Sequence, residues 1–164
     1  MTTIDRFLAY LNENDVHYQL LVHTPAFTAH QLARASHVPD SELAKTLLVR
    51  ADGQHWLAVL RADQRVNTSL LKKALEVKQV ALAHEEDLER FFPDCELGAM
   101  PPFGKLYGLP VIVEHSLAEG DEIVFNACTH RESIRMKFED FERLANPIIA
   151  EFAESQHVAE ERYR

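Results

Sequence analysis

The fold is most legible in residues 44–60, Ala44-Lys45-Thr46-Leu47-Leu48-Val49-Arg50-Ala51-Asp52-Gly53-Gln54-His55-Trp56-Leu57-Ala58-Val59-Leu60. Two apolar, partly β-branched runs, Ala44–Ala51 and Trp56–Leu60, flank an Asp-Gly pair. That dipeptide accepts the left-handed dihedrals of a tight hairpin turn, so the segment predicts two antiparallel strands. Upstream, Ile4, Phe7, Leu8 and Leu11 recur at helical spacing and predict an amphipathic helix over 3–13. His17–Val22 reads as a short strand, and Thr28 caps a helix running to about His37, stopped by Pro39.

Downstream, Asn67 or Thr68 opens a helix carrying Leu70, Leu71, Ala74 and Leu75. A short strand near Val80 leads to an acidic helix over Glu85–Phe92, which Pro93 ends. Pro110–Glu114 and Asp121–Ala127 read as strands joined through Gly120. Ser133–Phe138 is a third strand, and Glu139–Leu144 a short helix closed by Pro147. A single domain over residues 1–150 is expected, with a charged tail over 151–164. Strands and helices alternate around a hairpin, so the class is mixed α/β (α+β) rather than a doubly wound parallel sheet.

Composition narrows the function classes. The 164 residues are 46% hydrophobic and 26% charged, as in an ordinary globular domain. No apolar run approaches the roughly 20 residues of a membrane-spanning helix. The N-terminus, with Asp5 and Arg6 inside an amphipathic pattern, does not read as a signal peptide. Two cysteines, Cys95 and Cys128, are too few for a disulfide framework, so a cytoplasmic location is expected. A net charge of −9 argues against a protein that coats nucleic acid by bulk electrostatics. Residues 45–78 nevertheless carry seven lysines and arginines against three carboxylates, a local basic face able to meet one anionic ligand.

Three segments could carry chemistry. Lys45 shares a strand face with Leu43, Leu47 and Val49, and an inward lysine is costly unless it has an anionic partner or opens into a cleft. The alternative is an edge lysine that snorkels to water. The loop Gly98-Ala99-Met100-Pro101-Pro102-Phe103-Gly104 is too rich in proline and glycine for a helix or central strand. Such a loop is either an ordinary turn or a rigid wall presenting backbone amides to negative charge. The run Asn126-Ala127-Cys128-Thr129-His130 ends a strand with an imidazole that could orient a substrate or move a proton. Cys128 and His130 stand two apart, but no second pair stands at zinc spacing and neighbours on one strand often miss nucleophile–base geometry. There is no phosphate-binding glycine loop, Gly-x-Ser-x-Gly elbow or His-Glu-x-x-His motif.

In combination and order, His23-Thr24-Pro25-Ala26-Phe27-Thr28, Ala44-Lys45-Thr46-Leu47, Gly98–Gly104, Asn126–Arg131 and Ile134-Arg135-Met136 resemble the YbaK/prolyl-tRNA synthetase-associated domain family of aminoacyl-tRNA deacylases. The resemblance runs from about residue 15 to 147. It implies a mixed, mostly antiparallel, barrel-like central sheet flanked by helices. It also implies trans-acting hydrolysis of the ester on a mischarged tRNA carrying a small amino acid (Ala, Ser, Thr or Cys), without metal or other cofactor.

Lys45 falls on the family's essential lysine, and His130 on its substrate-orienting histidine. Phe27, Thr28, Thr46, Gly98, Met100, Pro101, Pro102, Phe103, Gly104, Cys128 and Thr129 fall on the substrate pocket. Backbone amides near Gly98–Pro101 and Cys128–Thr129 would form the oxyanion site. Many relatives have glycine where this chain has Cys128. The implied partners are the 3′ end of an aminoacyl-tRNA and an aminoacyl-tRNA synthetase, with no membrane and no DNA. Arg65, Lys72 and Lys73 are the expected tRNA contacts. Two other readings remain: a catalytically silent module that holds a tRNA end or assists a synthetase, and a small-molecule ester hydrolase or amino-acid sensor.

Overall fold

The computed structural model of the chain describes residues 3–26 and 28–156. In chain order the elements are α1 (Thr3–Glu13), β1 (Tyr18–Val22), α2 (Ala29–Ser36), β2 (Ala44–Ala51), β3 (Gln54–Arg61), β4 (Gln64–Val66), α3 (Thr68–Leu75) and β5 (Val80–Leu82). Then follow α4 (Glu85–Phe91), β6 (Val111–Glu114), α5 (His115–Ala118), β7 (Glu122–Asn126), β8 (Glu132–Lys137), α6 (Phe138–Ala145), β9 (Ile148–Ala150) and β10 (Ala153–Ser155).

The hairpin forms where the sequence places it. Asp52 (φ +47°) and Gly53 (φ +85°) take the two left-handed positions of the turn. The Asp52 carboxylate then accepts the N–H groups of Lys78 and Gln79 at 2.9–3.2 Å, which ties the hairpin tip to the approach to β5. β2 and β3 are the centre of a five-stranded sheet in the order β5-β2-β3-β6-β9. The β3–β6 and β6–β9 pairs are parallel and the other pairs antiparallel.

The mixed, mostly antiparallel architecture flanked by helices is as expected, with the described strands distributed over more than one sheet. β1-β8-β7 is a three-stranded antiparallel sheet, and β10-β4 a short ribbon. The two larger sheets meet at a Leu43–Val124 bridge, where Val124 N–H donates to Glu42 O at 2.9 Å. Strand alternation sorts the side chains. Leu48, Leu57, Val59, Val111 and Val113 face the main core with Phe125, Ile134 and Met136 of the second sheet. Val49, Ala58, Leu60 and Ile112 face the other way, onto Leu71 of α3 and Phe152.

Two local features go beyond the sequence reading. β6 and β7 form where expected, but α5 stands in the connection between them and they enter different sheets. The segment after Glu151, expected as a charged tail, is structural as far as Ser155. Phe152 is fully buried, and Ala153–Ser155 pairs antiparallel with β4. The reason is the buried carboxylate of Glu114, whose Oε2 accepts the N–H groups of Phe152 (2.7 Å) and Ala153 (2.8 Å). A buried carboxylate with two amide donors is satisfied, and here it anchors the returning chain.

Candidate active site

Lys45 is the second residue of β2. Its strand neighbours Ala44 and Leu48 point into the main core, while Leu47 and Val49 pack on the α3 side. Lys45 opens instead into a cleft of about 220 Å³. Thr46 and Leu47 continue the β2 wall, Thr28 and Leu32 come from α2, Leu97, Gly98 and Met100 from the long loop, and Asn126 and His130 from the end of β7. The ammonium is half-buried. Burial pushes its pKa below the usual lysine value; the neighbouring Arg65 adds to this and Asp63 opposes it. Asp63 is itself held by Arg61, with contacts of 2.9 and 2.6 Å to the guanidinium. Among the described residues no carboxylate is hydrogen-bonded to Lys45. A cation in that state is stabilised by an arriving anion or developing oxyanion.

Asn126 was only a motif position in the sequence. Its Oδ1 is buried and meets no donor among the described residues, while the residue itself lines the cleft. An orphaned buried acceptor costs about 1–3 kcal/mol, which a ligand donor would recover. Nothing in the sequence separates an asparagine that satisfies itself from one that waits for a ligand.

His130 lies in the cleft, but its ring joins its two walls. Nδ1 faces Ala26 O at 3.1 Å and Nε2 faces Leu97 O at 2.8 Å. Both nitrogens face backbone carbonyls, and a neutral ring, with its single N–H, donates to one of them; this wedged placement between the two walls supports positioning of the cleft.

The Gly98–Gly104 loop divides. Gly98 (φ +83°) and Met100 line the cleft. Pro101, Pro102, Phe103 and Gly104 do not: all four are buried away from it. Phe103 stacks edge-on with Phe7, Phe125 and Phe141 at 5.2–5.5 Å, so its place is set by core packing. Cys128 is also outside the cleft. Its N–H donates to Ala99 O at 2.8 Å and its Sγ faces Cys95, so its amide is not an oxyanion donor in this arrangement. Thr129 closes the β7–β8 turn, its Oγ1 accepting Arg131 N–H at 3.2 Å and contacting Glu132 at 3.3 Å. Thr28 and Thr46 line the cleft as expected, and Phe27 lies outside the described residues.

Of the expected tRNA contacts, Arg65 adjoins Lys45 electrostatically. Lys72 sits by Arg50 and Gly53, at the other end of β2. Lys45 and Arg50 are five steps apart along β2, about 16 Å. No group of three or more metal-ligating side chains occurs among the described residues. Nor is any described helix long and apolar enough to cross a membrane.

Residues 23–144 match the model of the aminoacyl-tRNA editing domain. The chain belongs to that family. Among curated proteins it is 28% identical over 155 residues to the multifunctional Ser/Thr-tRNA deacylase ProXp-y of Escherichia coli (strain K12), spanning 92% of each chain. It is 24% identical to the prolyl-tRNA editing protein ProX of Acetoanaerobium sticklandii, over 84% of this chain and 87% of that one. A 30% match to the proline–tRNA ligase of Geobacillus thermodenitrificans covers 56% of this chain but only 16% of the ligase. A crystal structure described as a candidate trans-editing enzyme for prolyl tRNA synthetase superposes with a TM-score of 0.79 at 18% identity. It covers 94% of this chain and 99% of that one, and shows the same fold.

Proposed function

We propose that this protein is a trans-acting aminoacyl-tRNA deacylase that hydrolyses the ester of a tRNA mischarged with a small amino acid. The observation that carries the reading is the unpaired, half-buried Lys45 ammonium in a small cleft of an editing-family domain. The relatives named as deacylase and editing protein, each matched over most of its length, support turnover over a silent binding module.

An aminoacyl ester is already activated, so the site's tasks are to orient water or the ribose 2′-hydroxyl and to stabilise the oxyanion. Lys45 donates a charged hydrogen bond to the carbonyl oxygen or the terminal phosphate. Asn126 Oδ1 accepts from the substrate's α-ammonium, the one cationic donor an aminoacyl ester always carries. His130 is a positioning residue that holds the Ala26 and Leu97 walls at their spacing.

The cleft volume of about 220 Å³ is below the roughly 300–1,000 Å³ of ordinary ligand pockets, so it fits the aminoacyl group rather than a whole nucleotide. Exclusion by size separates neighbouring side chains by only about 1–3 kcal/mol per methylene, which suits editing of small residues. The domain expected over residues 1–150 is proposed to continue through Ser155, whose strand pairs with β4. The expected partners are the tRNA 3′ end and a synthetase that delivers it, in the cytoplasm.

The test is a deacylation panel of alanyl-, seryl-, threonyl-, cysteinyl- and phenylalanyl-tRNAs, with binding measured in parallel. Turnover of small aminoacyl groups and none of phenylalanyl is expected. Tight binding without turnover would establish the silent module instead. Equal turnover of a short aminoacyl ester lacking tRNA would favour the small-molecule hydrolase.

A further inference from the structure

Behind the cleft wall lies a feature the deacylase reading does not use. Cys95 Sγ and Cys128 Sγ are 2.6 Å apart, and Tyr107 Oη lies 3.7 Å from the first and 3.9 Å from the second. Two backbone hydrogen bonds hold the sulfurs in place. Glu96 N–H donates to Cys128 O at 2.9 Å, and Cys128 N–H donates to Ala99 O at 2.8 Å. Closing a disulfide of about 2.05 Å therefore asks for roughly half an ångström of travel between the sulfurs. Cys128 keeps this position with φ +72°, a conformation that costs a non-glycine residue about 1–2 kcal/mol.

The two thiols are also unequal. Cys128 is 2% exposed, while Cys95 is half-buried and lines a second cavity of about 400 Å³ that shares Leu97, Gly98 and Met100 with the cleft. The contact with Cys128 holds the Cys95 thiol below the usual range, and the same contact together with burial pushes Cys128 up. The sulfur that adjoins the cavity, Cys95, is the one a small oxidant reaches first, and its lowered pKa acts in the same direction.

We propose that Cys95 and Cys128 form a redox-modification site, in which a peroxide closes an intramolecular disulfide that pins the cleft wall to the end of β7 and slows turnover. The Cys95 thiolate attacks one peroxide oxygen, the O–O bond breaks, and hydroxide leaves to become water, giving a sulfenic acid. Cys128 sulfur then attacks Cys95 sulfur. The S–O bond breaks, and the hydroxyl leaves with the Cys128 proton as a second water. Two thiols and one hydrogen peroxide give one disulfide and two waters; each sulfur gives up one electron. A dithiol reverses the step by exchange.

The experiment treats the full chain with hydrogen peroxide and follows intact mass, thiols titrated after denaturation, and a peptide map. The expected product is monomeric, lighter by two hydrogen atoms, with no titratable thiol and a Cys95–Cys128 linked peptide. Dithiothreitol restores both thiols. Cys95→Ser and Cys128→Gly, the latter suited to the left-handed position, should each keep one thiol and form no intramolecular link. Retention of both thiols in the wild type, or crosslinked dimers as the product, would overturn the proposal.

Turnover of seryl-tRNA by the oxidised protein should fall several-fold and return with dithiothreitol. Unchanged turnover with the disulfide formed would overturn the regulatory half. The chemical readouts need no deacylase activity. A reduced protein without turnover would count against the proposed function, not against the thiol pair.

Discussion

Gly98 and Gly104 stand in one loop and answer different demands. Gly98 has φ +83°, and a Cβ there would meet nothing within 4 Å. Its glycine is a matter of backbone conformation at the lip of the cleft. At Gly104 a Cβ would lie 2.0 Å from Leu109 O and 2.7 Å from a Val111 methyl, so its glycine is a matter of space inside the core. The cleft half of the loop is open to change, and the core half is fixed by packing. Chemistry and stability are therefore separable within seven residues of chain.

The sharpest way to break that contrast is Gly104→Ala. Because the clash is with backbone, a loss exceeding about 4 kcal/mol is expected, visible as a collapsed urea midpoint or insoluble protein. A variant that unfolds near the wild-type midpoint would show that the core half yields after all.

Asn126→Ala should act oppositely, on chemistry alone. It removes an orphaned acceptor, so its unfolding midpoint should match or exceed wild type. Loss of a bond to a cationic donor, about 1.5–3 kcal/mol, should cut kcat/KM by roughly ten- to a hundred-fold. N-acetylated aminoacyl-tRNA, which lacks the ammonium, should lose the same factor with the wild type and nothing further with the variant. An effect of acetylation that persists in the variant would remove Asn126 from ammonium recognition.

Gly98→Ala should be milder, about 1–2 kcal/mol from the left-handed conformation, with the fold retained in circular dichroism. A collapse like that of Gly104→Ala would erase the distinction between the two glycines.

The smallest effect concerns pH. Lys45 has a folded pKa below its ordinary value of 10.5, so its charged form is disfavoured by folding. That penalty is fully present below the folded pKa and fades as pH rises through it toward 10.5. Lys45→Met should therefore raise Tm by a small amount at pH 7, with the gain shrinking through the alkaline range. A gain that is constant with pH would show that it comes from methionine packing rather than removal of charge.

These contrasts mark what could be read in advance. The hairpin, α1, α3 and the acidic α4 were legible because periodicity, caps and the Asp-Gly turn all agree locally. The four-residue α5 and the three-residue strands β4, β9 and β10 have no periodicity to read; tertiary partners such as the Glu114 carboxylate form them. The placement of Lys45 in a cleft was legible as one of two alternatives, because a lysine in an apolar strand either finds a cleft or reaches water. The roles within the Gly98–Gly104 loop were not, since proline and glycine content reports backbone habit but not whether Phe103 turns to the core. His130 and Cys128 were legible as positions, while their commitments to Leu97 O and Ala99 O depend on a loop some thirty residues away.

The most direct measurement compares wild-type and Lys45→Ala protein for kcat/KM on seryl-tRNA, alongside their thermal unfolding. Loss of a charged donor to the reacting group should cost about 10²–10³-fold, with an unfolding midpoint at or above that of the wild type. Turnover within a few-fold of wild type by a folded variant would contradict the account.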